Sequence, residues 1–312
     1  MSADEQKQVV SAFWVALGVS ALAAWPIYRM LLALRSRQAV SEFAPETHQL
    51  KQGTPTMGGL IVLTGFPAGI LLMAPSLPLV LLVVGFGVIG FLDDFVVPRL
   101  KVGSRGLGWK PKLLLQVFVA TGALWLDPRF SDPLWLASGG FVILFFSNAY
   151  NFSDGLDGLA GTLGVMLCLG LGVVAAMAGV PSVAIASVAL IGGLIPFLIL
   201  NAPPARLFMG DVGSLPIGAA IGFMVFELAR SPSMIPSLAV LSGILLVELI
   251  PVPLQIFWVK VFKKRLFSYT PIHHAFEKKG WPESRVVWTF GLVQFVLAAG
   301  AVSLAWLGGG AR

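Results

Sequence analysis

Apolar runs long enough to cross a bilayer recur along the whole chain, and that repetition restricts it to folds whose helices face lipid. Cut wherever charge, Pro or Gly clusters interrupt, the runs fall at about 9–34, 57–74, 77–92, 113–126, 134–150, 158–180, 182–200, 213–229, 235–259 and 286–308. A bilayer core takes roughly 20 residues of helix, within a range of about 17 to 25. The sequence therefore predicts an all-α polytopic integral membrane protein with about ten transmembrane helices, forming a single domain over 1–312. Composition excludes the alternatives. Only 12% of residues are charged and 57% are apolar, against about 25% charged in a soluble domain, and a lone cysteine, Cys168, rules out a disulfide scaffold.

The first run superficially resembles a signal peptide, with Ala21-Leu22-Ala23 as its small-residue site. It is read as a span, because Asp4 and Glu5 stand beside Lys7 ahead of it and the apolar stretch continues past Tyr28 to Leu34. With ten spans, sixteen of the 21 Lys and Arg fall in the connections after spans one, three, five, seven and nine, and Arg29, near the end of span one, brings that side to seventeen. The positive-inside rule then makes that face cytoplasmic and puts both termini outside. The net charge of +6 near a bilayer favours anionic lipid and phosphorylated ligands rather than nucleic acid.

Carboxylates in or beside a span cost roughly 2.5 to 3.5 kcal/mol on insertion scales, so their placement needs a reason. Here they gather on the predicted cytoplasmic face. Asp93 and Asp94 close the third span, Asp154 and Asp157 follow the fifth, Asp211 follows the seventh, and His273, His274 and Glu277 follow the ninth. Adjacent acids at a helix C-terminus oppose the dipole, and a divalent cation or basic group relieves them. In "NAYNFSDGLDGLAG", Asn148, Asn151, Asp154 and Asp157 recur every third residue, which on a helix presents one polar face; capping the next helix needs one such residue, not four. Asp211 precedes a helix starting near Gly213, so it reads equally as an N-cap or as part of an anion site. Lys51 stands in "HQLKQGTPTMGG", a Gly- and Thr-rich loop without the Walker A ending. These residues together describe a one-sided site for a divalent cation and a polyanion, which suits phosphoryl transfer. Glu248, inside span nine and flanked by Pro251 and Pro253, is the exception and keeps a transporter as the alternative class.

The strings "HQLKQGTPTMGG", "GFLDDF", "KPKLLLQ", "NAYNFSDGLDGLAG", "NAPPARLFMGDVGSL", "VELIPVPLQ" and "KKRLFSYTPIHHAFEKKGW" occur in the order found in the polyprenyl-phosphate N-acetylhexosamine-1-phosphate transferases. Within these the chain resembles the phospho-N-acetylmuramoyl-pentapeptide transferases, which "TPTMGG" and "PIHH" favour over relatives using UDP-GlcNAc. The resemblance implies a dimeric ten-span enzyme of the bacterial inner (plasma) membrane, active on its cytoplasmic face. It would move phospho-MurNAc-pentapeptide from UDP-MurNAc-pentapeptide to undecaprenyl phosphate, giving lipid I and UMP with Mg²⁺. Carried over, Asp93 and Asp94 match the aspartate pair, the first a candidate base toward the lipid phosphate, and Asp211 matches the Mg²⁺ ligand. Asn148, Asn151, Asp154, Asp157, Asn201 and Phe208 match the nucleotide and metal pocket, with Asn151 beside the metal and Phe208 suited to stacking on uracil. His273 and His274 match the histidine motif, and Lys51 and Lys112 match basic positions. Two departures stand out: Val97 replaces the family's Lys, and Ala275 its third His. If that Lys positions phosphate, then Arg99, Lys101 or Lys112 must compensate, or activity is lowered or redirected. A UDP-GlcNAc or other UDP-sugar transferase is the alternative within the same chemistry.

Overall fold

In the computed structural model, which describes residues 1–34, 53–101 and 106–308, each of the ten apolar runs is wholly or mainly helical. The helices are α1 Ala3–Ala33, α2 Gly59–Met73, α3 Leu77–Phe91, α4 Trp109–Trp125, α5 Pro133–Ser153, α6 Leu159–Met177, α7 Pro181–Asn201, α8 Asp211–Ala229, α9 Ile235–Leu241, α10 Gly243–Leu249, α11 Pro251–Phe262, α12 Ile272–Lys278 and α13 Glu283–Leu307. A π-helical turn, Leu92–Val96, and a short helix, Val97–Leu100, extend α3. No β-strand occurs among the described residues. Eight helical stretches are long and apolar enough to cross a membrane; α2 and α4, at 15 and 17 residues, are shorter.

Local chemistry sets the boundaries. Ser2 and Glu5 form a reciprocal capping box at the start of α1, with the Glu5 N–H donating to Ser2 Oγ at 3.2 Å and the Ser2 N–H to Glu5 Oε2 at 2.6 Å. Asp132 caps α5 by accepting the Leu134 N–H at 2.8 Å, and prolines open α5 and α7, where a missing N–H loses nothing. The ninth apolar run is not one helix. It breaks into α9, α10 and α11 at Ser242 and at Pro251, whose ring cannot sustain the backbone ladder.

Helix α8 is the centre of the bundle, with almost every residue from Val212 to Leu228 buried. Around it pack α2, α3, α5 and α7, while α1 lies on α2 and α7, and α13 lies on α6 and α9. Outward faces carry exposed Trp14, Leu22, Phe118, Trp288 and Val296, the surface that lipid covers in a polytopic membrane protein. The crossing of α3 and α8 is unusually close: a Cβ on Gly90 would overlap the Asp211 carbonyl. That contact sets the end of α3 against the start of α8, and the functional residues collect there.

Candidate active site

Asp93 and Asp94 do not sit at a frayed helix end facing water. They lie in the π-helical turn after α3, a rare conformation that recurs at functional sites, and Asp93 is buried. The Leu107 N–H donates to Asp93 Oδ1 at 2.7 Å, and Asp93 Oδ2 lies 3.0 Å from Lys112 Nζ. The same ammonium reaches Asp211 Oδ2 at 2.6 Å. Asp211 belongs to the first turn of α8, and its other oxygen, Oδ1, accepts from Asn151 Nδ2 at 2.8 Å. The capping reading of Asp211 therefore gives way: the free N–H of Val212 is taken by Asp94 Oδ2 at 3.0 Å, a cap supplied by another helix. Gly210 makes this turn, at φ +72°, and a Cβ there would lie 2.5 Å from Asp94 Oδ2 and 2.7 Å from Thr56 Oγ1.

The predicted ladder along 148–157 is cut in two, because α5 ends at Ser153 and Asp154 is its C-cap. Asn151 stays on the helix and donates to both Asp211 and Ser214 Oγ. Asn148 turns to α4, where its Nδ2 donates to Gln116 Oε1 at 2.9 Å. Asp157 braces two loops: its Oδ2 accepts the Ala205 N–H at 2.9 Å while its own N–H donates to Glu283 Oε1 at 3.1 Å. Asn201 bridges the same region, accepting the Gly158 N–H and donating to the Leu207 carbonyl. Burial pushes the Asp154 carboxyl well above the usual carboxylate range, the nearby Asp211 and Asp94 charges add to this, and the Gly210 N–H opposes it. Phe208 is half-buried on a loop whose backbone pairs with the Gly- and Thr-rich segment, its N–H donating to the Pro55 carbonyl and its carbonyl accepting the Gly58 N–H. Lys51 lies outside the described residues.

His273 and His274 open α12, with ring centroids 4.2 Å apart. His273 is fully buried and its Nδ1 lies 2.8 Å from Glu248 Oε2; His274 Nδ1 lies 2.6 Å from Glu277 Oε2. Both rings turn Nε2 toward Gly155, next to Asp154. Glu248 is thus the partner of a histidine rather than a mid-membrane charge of its own.

Asp93, Asp94 and Asp211 each place one carboxylate oxygen within 4.8 Å of the others. Hard oxygen donors in such a group fit a magnesium-sized cation held by a few carboxylates together with substrate phosphates. Lys112, between two of the three acids, offsets their charge.

Residues 76–229 match the model of glycosyl transferase family 4, and residues 51–63 match signature 1 of the phospho-N-acetylmuramoyl-pentapeptide-transferases. The proteins of that name from Heliobacterium modesticaldum and Granulibacter bethesdensis are 35% and 37% identical to this chain. The alignments cover 96% and 94% of it, and 98% and 92% of the relatives. The chain belongs to the phospho-N-acetylmuramoyl-pentapeptide transferase family. Within that family its Val97 gains significance from the geometry. Arg99, one of the cations expected to compensate for it, turns away from the cluster: its guanidinium lies 3.5 Å from the Phe95 ring centroid and donates to the Leu34 carbonyl at 2.8 Å. Lys112 is the ammonium inside the carboxylate cluster.

Sequence reasoning overlooked Ser214, Gln116 and Glu283. Gln116, a lone amide within an apolar span, was detectable by the same logic that singled out the acids. Ser214 and Glu283 carried no such signal, since a Ser or Glu in the first turn of a helix is ordinary.

Proposed function

We propose that the protein transfers phospho-N-acetylmuramoyl-pentapeptide from UDP-MurNAc-pentapeptide to undecaprenyl phosphate, giving lipid I and UMP, with Mg²⁺ as cofactor. The observation that supports this most strongly is the Lys112 ammonium bridging Asp93 and Asp211 beside Asp94, in a chain of this family. Asp211 and the Asn151 amide, with Asp93 or Asp94, are the residues that would hold the cation. Bound there, the cation would supply positive charge to offset the pyrophosphate and the departing UMP.

The chain's own groups do the positioning. An oxygen of the lipid phosphate attacks the sugar-linked phosphorus as the bond from that phosphorus to the UMP oxygen breaks. A phosphate monoester with a second pKa near 6 is already largely dianionic, so Asp93 orients the acceptor, through its contact with Lys112, rather than removing a proton. Lys112 stands where negative charge accumulates. Phe208 stacks on the uracil, Asp154 and Asp157 line the donor pocket with Asn148 and Asn201, and His273 and His274 reach the donor from α12. Seventeen of 21 basic residues on one face support a ten-span arrangement with the site cytoplasmic, in the bacterial inner membrane; the working unit is a homodimer. The test is product analysis with radiolabelled donor. Wild-type protein gives a lipid-linked product containing the pentapeptide, and Asp211→Asn gives at least about 100-fold less. A product without the pentapeptide, or an Asp211→Asn variant of undiminished rate, contradicts the proposal.

A further inference from the structure

Among the acids and histidines of the described residues, Glu248 and His273 alone have no solvent exposure at all. They join α10 to α12, and the pairing is double. Glu248 Oε2 lies 2.8 Å from His273 Nδ1, and Glu248 Oε1 accepts the His273 backbone N–H at 3.2 Å. A buried carboxylate without partners is strongly disfavoured, and here one residue satisfies both oxygens. Because an ionised carboxylate only accepts, Nδ1 carries the ring proton. With the proton on Nδ1 and none on the second nitrogen, the ring presents a lone pair on Nε2.

That second nitrogen is buried and has no hydrogen-bond partner among the described residues. It faces Gly155, where an added Cβ would overlap it, and His274 Nε2 lies 3.3 Å from the same point. An unpaired buried acceptor directed at a backbone without a side chain, one residue from Asp154, points to a group that arrives from outside. We infer that Glu248 is a positioning residue for the transfer reaction: it locks His273 as the Nδ1–H tautomer, so that Nε2 accepts a hydroxyl or amide N–H of the bound sugar-nucleotide donor at the 154–157 loop. This rests on the transferase reading above. Carboxylates that orient a histidine through its other nitrogen are a recurrent device, and their loss typically costs about 10- to 100-fold in activity.

Glu248→Gln makes a sharp test, because a Gln cannot accept at both positions. Its NH₂ must face either the backbone N–H or Nδ1–H, so either an N–H loses its acceptor or the ring changes tautomer. The chain has 3 His, so ¹⁵N-histidine NMR of the full protein in detergent is sparse enough to read, with His273→Gln assigning the ring. Wild-type protein should show His273 protonated on Nδ1 and not on Nε2, and added UDP-MurNAc-pentapeptide should shift its Nε2 resonance; a ring protonated on Nε2, neutral or cationic, overturns the proposal whatever the variants do. In a double-mutant cycle, Glu248→Gln should lower kcat/KM for the donor by about 10- to 100-fold, and Glu248→Gln with His273→Gln should be no slower than His273→Gln alone. Fully additive losses overturn it. The wild-type rate with this donor reports on the transferase reading itself, whereas the tautomer is read without turnover.

Discussion

A single ammonium group stands between two carboxylates at the heart of this site, and what it does there can be separated from what the carboxylates do. Lys112→Met keeps most of the length of the side chain and removes the charge, leaving Asp93 and Asp211 to repel each other. It should lower kcat/KM by about 100-fold or more, measured with the muramoyl donor at saturating Mg²⁺. Lys112→Arg should also fail to restore the full rate, because a planar fork does not reproduce a point charge; equal rates for Arg and Lys would contradict the geometry. Asp154 gives a pH test of opposite sense. Its folded-state pKa is raised, chiefly by burial, so the folded protein binds its proton more tightly and the ionised form is a burden at neutral pH. The penalty is present at pH above the raised value and vanishes below the unfolded value of about 3.9. Asp154→Asn should therefore raise the Tm of metal-free protein at pH 8, with the gain shrinking as the pH falls toward 5. A Tm advantage that grows on acidification would contradict this assignment. The same substitution should lower transferase activity, the usual opposition between site chemistry and stability.

At the scale of elements, the end of α3 and the start of α8 act as one unit, because Gly90 lets the backbones touch and Asp94 caps α8. Gly90→Ala drives a methyl group into the Asp211 carbonyl, and overpacking of this kind costs about 1–3 kcal/mol. Thermal unfolding in detergent should show a lower Tm together with reduced activity, whereas Gly18→Ala, with open space around it, should leave both unchanged. The helices themselves were legible from apolar run length, and all ten runs became helical. Three features were not. The splitting of the ninth run depended on Pro251 and Ser242 acting inside an otherwise apolar stretch, which hydropathy alone does not register. The 148–157 ladder assumed that α5 continued, but the Ser153–Asp154 stop divides its members between Asp211, Gln116 and the 205 loop. The cap of α8 comes from a residue 118 positions away, and no local capping rule reaches that far. The cluster of acids was legible because charge in an apolar sequence is conspicuous; its internal pairings were set by tertiary contact.

At the scale of the molecule, the bundle buries one helix, α8, and brings the ends of α3, α4, α5 and α8 together at one pole. The opposite pole has its own ion pairs, Arg129 with Asp127 and Glu227, well removed in sequence and contact from the carboxylate cluster. Arg129→Ala should therefore lower Tm while leaving kcat near the wild-type value, and a large loss of kcat at unchanged Tm would link the two poles. Metal removal should act at the first pole alone: EDTA is expected to abolish turnover reversibly, and Mg²⁺ to restore it. The central claim is the identity of the donor together with the need for a cation. The direct measurement is UMP release by purified protein given undecaprenyl phosphate and either UDP-MurNAc-pentapeptide or UDP-GlcNAc, with and without Mg²⁺. Mg²⁺-dependent release with the muramoyl donor alone is the predicted result, and it would show that the site is competent with Val97 in its sequence. Release with UDP-GlcNAc alone, or release indifferent to Mg²⁺, would contradict the account.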